Sequence, residues 1–172
     1  FIERDNIEQS RMLFAKSIDS ITSPGKPNVV LHPLLRKVDQ LENKSPKELS
    51  SLSIDMIKNK PWGDDVLFAI WLARYATLKD PDNIEVARDY SEVLNNTGNN
   101  TEAAIVLKKV IETAPENPLF WISLGYINDA AEHYQVALNN LQKAIDLLKR
   151  NDAESLKLRS EAHMKRANIL KN

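Results

Sequence analysis

The stretch WISLGYINDAAEHYQVALNNLQKAI, residues 121–145, decides the fold. Its second half places Ala137, Leu141, Ala144 and Ile145, with Leu148 beyond, at i, i+4, i+7, i+8 and i+11. That is an apolar stripe of helical period. Its first half carries Trp121, Leu124 and Gly125. Two antiparallel helices meet tightly only where small side chains let the backbones approach. Gly125, Ala137 and Ala144 are those small residues, and Trp121 and Leu124 fill the space beside them.

Shifted by 34 residues, the sequence superposes on itself. Ala103 falls on Ala137, Leu107 on Leu141 and Val110 on Ala144. Ala87 falls on Trp121, Tyr90 on Leu124 and Ser91 on Gly125. One step earlier, Ala69, Ala73, Ala76 and Pro81 fall on Ala103, Leu107, Val110 and Pro115. The period is that of a helix–turn–helix unit.

Loop chemistry punctuates the units: KDPDN (79–83), NNTGNN (95–100), APENP (114–118) and KRND (149–152). Pro81 and Pro115 cannot continue a preceding helix. Gly98 suits the left-handed position past a helix end. Thr101 is placed to cap the next helix, with Glu102 near its positive end. The helices expected are 64–79, 84–96, 101–113, 118–131, 134–148 and 153–171. No strand signal carries weight, since the apolar VVL at 29–31 is short. Residues 1–60 form a less regular helical segment. A helix is expected over 3–21, a loop over 22–28 and a short helix from His32-Pro33 to about Asn43. In SPKE (45–48), Ser45 caps a further helix, Pro46 sits in its first turn and Glu48 completes a capping box. That helix runs to about Lys58, where KPWGD breaks it.

The repeat resembles the tetratricopeptide repeat family. Unit 118–151 carries the family's Trp121, Leu124-Gly125, Ala137, Leu141 and Ala144. Unit 84–117 carries Tyr90, Ser91, Leu94, Ala103, Leu107 and Pro115, with Ala87 in place of the Trp. A partial unit spans about 50–83, where Trp62 and Trp71 lie off the family positions. Departures are Asn128 for an aromatic, Lys149 for a proline and Arg159 for a small residue, so 153–171 reads as a continuing or capping helix. The resemblance covers about 110 residues, within an array at 61–172. It implies an all-α right-handed superhelix of stacked helix pairs. It also implies a concave groove lined by Glu85, Arg88, Glu92 and Asn95 from one unit and by Leu119, Ile122 and Tyr126 from the next. Such a mix of apolar and charged groups suits an extended peptide or a helix of another protein. Equally, Leu119, Ile122 and Tyr126 can serve as packing against the next helix. The clamp by which some family members hold a chaperone's terminal carboxylates is disfavoured. Glu92, at one of those positions, repels a carboxylate.

Composition narrows the remaining options. The 172 residues are 42% hydrophobic and 27% charged, as in a folded chain. A net charge of -1 argues against nucleic acid as the main partner. Residues 61–148 hold 6 basic and 13 acidic side chains, a balance that favours a basic partner if it is more than solvated helix surface. Residues 149–172 hold 7 basic and 3 acidic, which reads as a solvated cap. No run is long and apolar enough for membrane insertion. With no cysteine there is no disulfide or thiolate chemistry. Asn43, Asn95 and Asn99 match the glycosylation triplet, as Asn-rich turns do by chance.

His32, His133 and His163 lack ligand-spaced companions, so no metal is expected. Gly25, Gly63, Gly98 and Gly125 stand alone, so no phosphate loop exists. No catalytic motif and no cofactor are expected. A chain opening on Phe1 reads as a piece of a longer one, in cytoplasm or periplasm. The expected function is a non-catalytic scaffold binding a peptide or helix of another protein. The alternatives are a structural or self-associating module, its groove filled by residues 1–60, and an accessory part of a bacterial envelope assembly of the cytochrome-maturation or polysaccharide-export type.

Overall fold

The computed structural model describes residues 41, 43–58 and 64–171. The helices expected over 3–21 and after His32, and Trp62, lie outside the described residues. Among those residues the chain is all-helical: α1 (Pro46–Lys58), α2 (Asp64–Lys79), α3 (Ile84–Asn96), α4 (Asn100–Thr113), α5 (Pro118–Ala130), α6 (Tyr134–Leu147) and α7 (Ala153–Ile169). Each helix expected from Ser45 onward is present among the described residues, with ends shifted by at most two residues. The chain divides into two compact units between Val93 and Leu94, inside α3.

In the first unit α1 packs on α2. Ser45 starts α1 through the capping box. Its Oγ accepts from the Glu48 amide at 3.3 Å, and its own amide donates to Glu48 Oε2 at 2.8 Å. The core gathers Leu49, Leu72, Ala76 and Val86 around an aromatic ladder on one face of α2. Phe68 and Trp71 stack at 5.8 Å, and Trp71 and Tyr75 at 5.0 Å. Trp71 thus leaves the family's tryptophan position to serve a stack worth about 0.5–1.5 kcal/mol per pair beyond its buried area.

In the second unit α5 and α6 form the most extensive helix pair, with α4 against α5 and α7 against α6. Ala137, Leu141 and Ala144 are fully buried, as are Ala103 and Leu107 of α4, and Leu124 is 3% exposed. At Gly125 the backbone of α5 comes so near α6 that a Cβ would lie 2.7 Å from Leu141 Cγ and 2.8 Å from its Cδ2. Trp121 is half-buried, and its Nε1 donates to the Pro115 carbonyl at 2.7 Å.

The turns follow the same 34-residue rule as the core. After α3, Gly98 adopts φ 82°, the Asn99 amide donates to Leu94 O at 2.8 Å and the Gly98 amide to Asn95 O at 3.1 Å. This is a Schellman turn. After α5 the same turn recurs. Glu132 adopts φ 61°, the His133 amide donates to Asn128 O at 2.8 Å and the Glu132 amide to Asp129 O at 2.9 Å. The turn after α3 is so short that Asn99 also precedes the first residue of α4. Thr101 therefore lies inside the first turn rather than capping it. No described helix is long and apolar enough to cross a membrane.

Candidate partner-binding surface

Helix α3 presents the charged part of the expected surface. Glu85, Arg88 and Glu92 follow one another at three and four residues, which aligns them along one side. Glu85 and Glu92 are exposed. Glu85 reaches Lys47 of α1 at 3.7 Å, and both side chains are more than two-thirds exposed, so the pair contributes little. Arg88 is held more firmly. Its guanidinium donates to Asp89 Oδ1 through Nε at 3.2 Å and through one terminal nitrogen at 2.6 Å. Asp89 is the less exposed partner, and its other oxygen accepts from Ser50 Oγ of α1 at 2.7 Å. Asp89 was not legible as a site residue, because neighbours in sequence do not share a helix face.

Asn95 belongs to the second unit. Its Oδ1 is buried with no hydrogen-bond partner among the described residues. Also in that unit, α5 carries the apolar part of the expected surface, and its three residues differ in fate. Leu119 is 41% exposed. Ile122 is 4% exposed, packed with Ala137, Leu141 and Ala144 of α6 and with Ala162 and Ile169 of α7. Its side chain is core rather than open surface, because α7 lies over it. Tyr126 is half-buried under α7, with Lys165 Nζ 4.7 Å from its ring centroid. Lys165 also pairs with Asp129. Burial pushes the Tyr126 phenol pKa up, and the Glu161 carboxylate beside it, as a charge and as a hydrogen-bond acceptor, adds to the rise. Lys165 stands 36 residues after Asp129, close to the repeat period, which is the one sequence signal for that pair.

No family model matches the chain, and no curated protein matches it in sequence. Solved structures do match. The Sgt2 TPR domain from Aspergillus fumigatus aligns at a TM-score of 0.56 and 17% identity, over 74% of this chain and 82% of that one. Here TPR denotes the tetratricopeptide repeat. The fold is a tetratricopeptide repeat fold. MamA from Desulfovibrio magneticus RS-1, residues 41 to the end, aligns at 0.54 and 17% identity over 94% of both chains. The MamA RS-1 ArsTM double mutant aligns at 0.54 and 20% identity, over 94% of this chain and 95% of that one. At these identities the likeness is one of fold.

Within the tetratricopeptide fold the departures at positions 128 and 159 have local causes. Asn128 is 5% exposed, and its Nδ2 donates to Leu124 O at 2.7 Å, so its donor is satisfied inside its own helix. Arg159 stands one period after Gly125. Its guanidinium donates to the carbonyls of Leu148 and Arg150 just past α6, the Arg150 bond at 2.9 Å. A cation there offsets the negative end of α6.

Proposed function

We propose that this chain is a non-catalytic protein-interaction scaffold that takes a peptide or helix of another protein on the α3 side carrying Glu85, Arg88 and Glu92. The observation that carries this is Arg88, half-exposed yet held by Asp89, which Ser50 holds in turn. A charge oriented before its partner arrives loses less freedom on binding. The tetratricopeptide fold supports a protein as the partner.

A second reading, a structural module whose trough is filled from within, is favoured by the cover that α7 places over Ile122 and Tyr126. One experiment separates the two. The full chain is used as bait for affinity capture, with Arg88→Ala, Glu92→Ala and Tyr126→Ala beside it. The scaffold reading expects the first two to lose the captured protein while circular dichroism and melting stay unchanged. If they retain it, or if they lower the melting temperature by many degrees, the α3 side is not a binding surface.

A further inference from the structure

A cleft of about 390 Å³ opens in the second unit where the starts of α5 and α7 meet the end of α6. Leu119, Leu148 and Leu158 supply its apolar walls, and Arg150, Asp152 and Glu154 its charged rim. The rim charges are not equivalent. Asp152 is occupied, accepting from the Ser155 amide at 2.9 Å and from Ser155 Oγ at 3.0 Å. It also holds Arg150 Nε at 3.4 Å. Glu154 is exposed and has no ion-pair or hydrogen-bond partner among the described residues. The N-terminal turn of α7 does not invite an anion, because Asp152 already caps it.

From this juxtaposition of apolar walls and one uncompensated carboxylate, we propose that the cleft receives a basic side chain, arginine or lysine, from an extended peptide with apolar flanking residues. Such a side chain has an apolar stem and a cationic head. The stem lies along Leu119 and Leu158, and the head meets Glu154. The same turn already accepts a guanidinium from within, since Arg159 donates to the Leu148 and Arg150 carbonyls. The proposal rests on the chain being an interaction module, but it uses a different surface from the α3 side.

The test is an amide-resolved NMR titration of the full chain with the acetylated, amidated heptapeptide Gly-Ser-Leu-Arg-Leu-Ser-Gly, and with the same peptide carrying Glu for Arg. Saturable shifts are expected at Leu119, Ser155 and Leu158 with the Arg peptide only. Glu154→Gln weakens that binding roughly threefold. Leu119→Ser, at an exposed position where the fold is not at risk, weakens it roughly tenfold. Arg88→Ala and Glu92→Ala leave it unchanged. No saturable shift up to millimolar peptide, equal binding of the Glu peptide, or indifference to both Glu154→Gln and Leu119→Ser overturns the proposal. If the cleft fails while Arg88→Ala and Glu92→Ala still abolish capture, the α3 surface stands and only the cleft falls.

Discussion

Glycine appears at two positions where one methyl group would matter, and glutamate at a third where glycine would fit better. At Gly125 the added Cβ would meet Leu141, which is fully buried. Alanine gains about 1 kcal/mol of helix propensity over glycine. Overpacking of about 1–3 kcal/mol opposes it. We expect Gly125→Ala to destabilise the fold by up to about 2 kcal/mol net, read as a lower urea midpoint. An unchanged midpoint would mean that α5 and α6 separate without cost. Gly98 and Glu132 occupy the same left-handed place in two turns one period apart. An L-residue with a Cβ pays about 1–2 kcal/mol there. Glycine at such a place gives back about 0.5–1 kcal/mol through the entropy of the unfolded chain. Glu132→Gly is therefore expected to stabilise by about 0.5 kcal/mol, from the difference of these terms. A lower urea midpoint would show that the Glu132 side chain has a role its exposure does not reveal.

At the scale of the helix, the ends distinguish one element from another. At the starts of α1 and α7, acids accept backbone amides: Glu48 that of Ser45, and Asp152 that of Ser155. Hydrogen bonds from the Ser45 side chain and backbone hold the Glu48 pKa below its ordinary value, and those from the Ser155 backbone and side chain do the same for Asp152. Both folded values are lowered, so the stabilisation is complete above the ordinary carboxylate value near about 4 and is lost as pH falls through the lower folded value. Urea midpoints should therefore fall between about pH 5 and pH 3. The double variant Glu48→Gln, Asp152→Asn should show a shallower fall over that range. An identical acid slope in the variant would place the sensitivity in other carboxylates. By contrast, no side chain caps α4 or α6. Their starts are set by the Schellman turns that precede them, through hydrogen bonds that cross from the last turn of one helix to the first residue beyond the bend. Thr101 looked like a cap because threonine before an apolar run usually is one, and a tight backbone turn overrode that preference.

At the scale of the whole molecule, two compact units share the α3 helix, and each carries a different kind of surface. The first unit offers charge held by a short chain of hydrogen bonds from Ser50 through Asp89 to Arg88. In the second, the face of α5 that would lie open is largely covered by α7, and the large apolar side chain that α5 leaves exposed is Leu119, in its first turn. Tyr126→Ala is accordingly expected to lower the melting temperature, because it removes a ring packed under Lys165 and beside Glu161. A melting curve unchanged by that substitution would return Tyr126 to the set of free surface residues.

The amino-acid sequence by itself determined the helices, their pairing and the residues at the tightest contact. The reason is that each unit repeats one solution to the same local problem: small residues at a crossing, large ones beside it, and helix-breaking residues in the loop after it. Leu124, Gly125, Ala137, Leu141 and Ala144 are legible because the 34-residue shift and the helical period point to the same positions. Only the tertiary structure decided which of the surface candidates stay at the surface. A period places Ile122 and Tyr126 on a face of α5 without saying what lies on that face, and the answer came from α7, through Ala162, Lys165 and Ile169. Asp89 under Arg88 and the unpaired Glu154 at the cleft rim were hidden for the same reason. Burial and partnership depend on which helices meet, and helical periodicity describes one helix at a time.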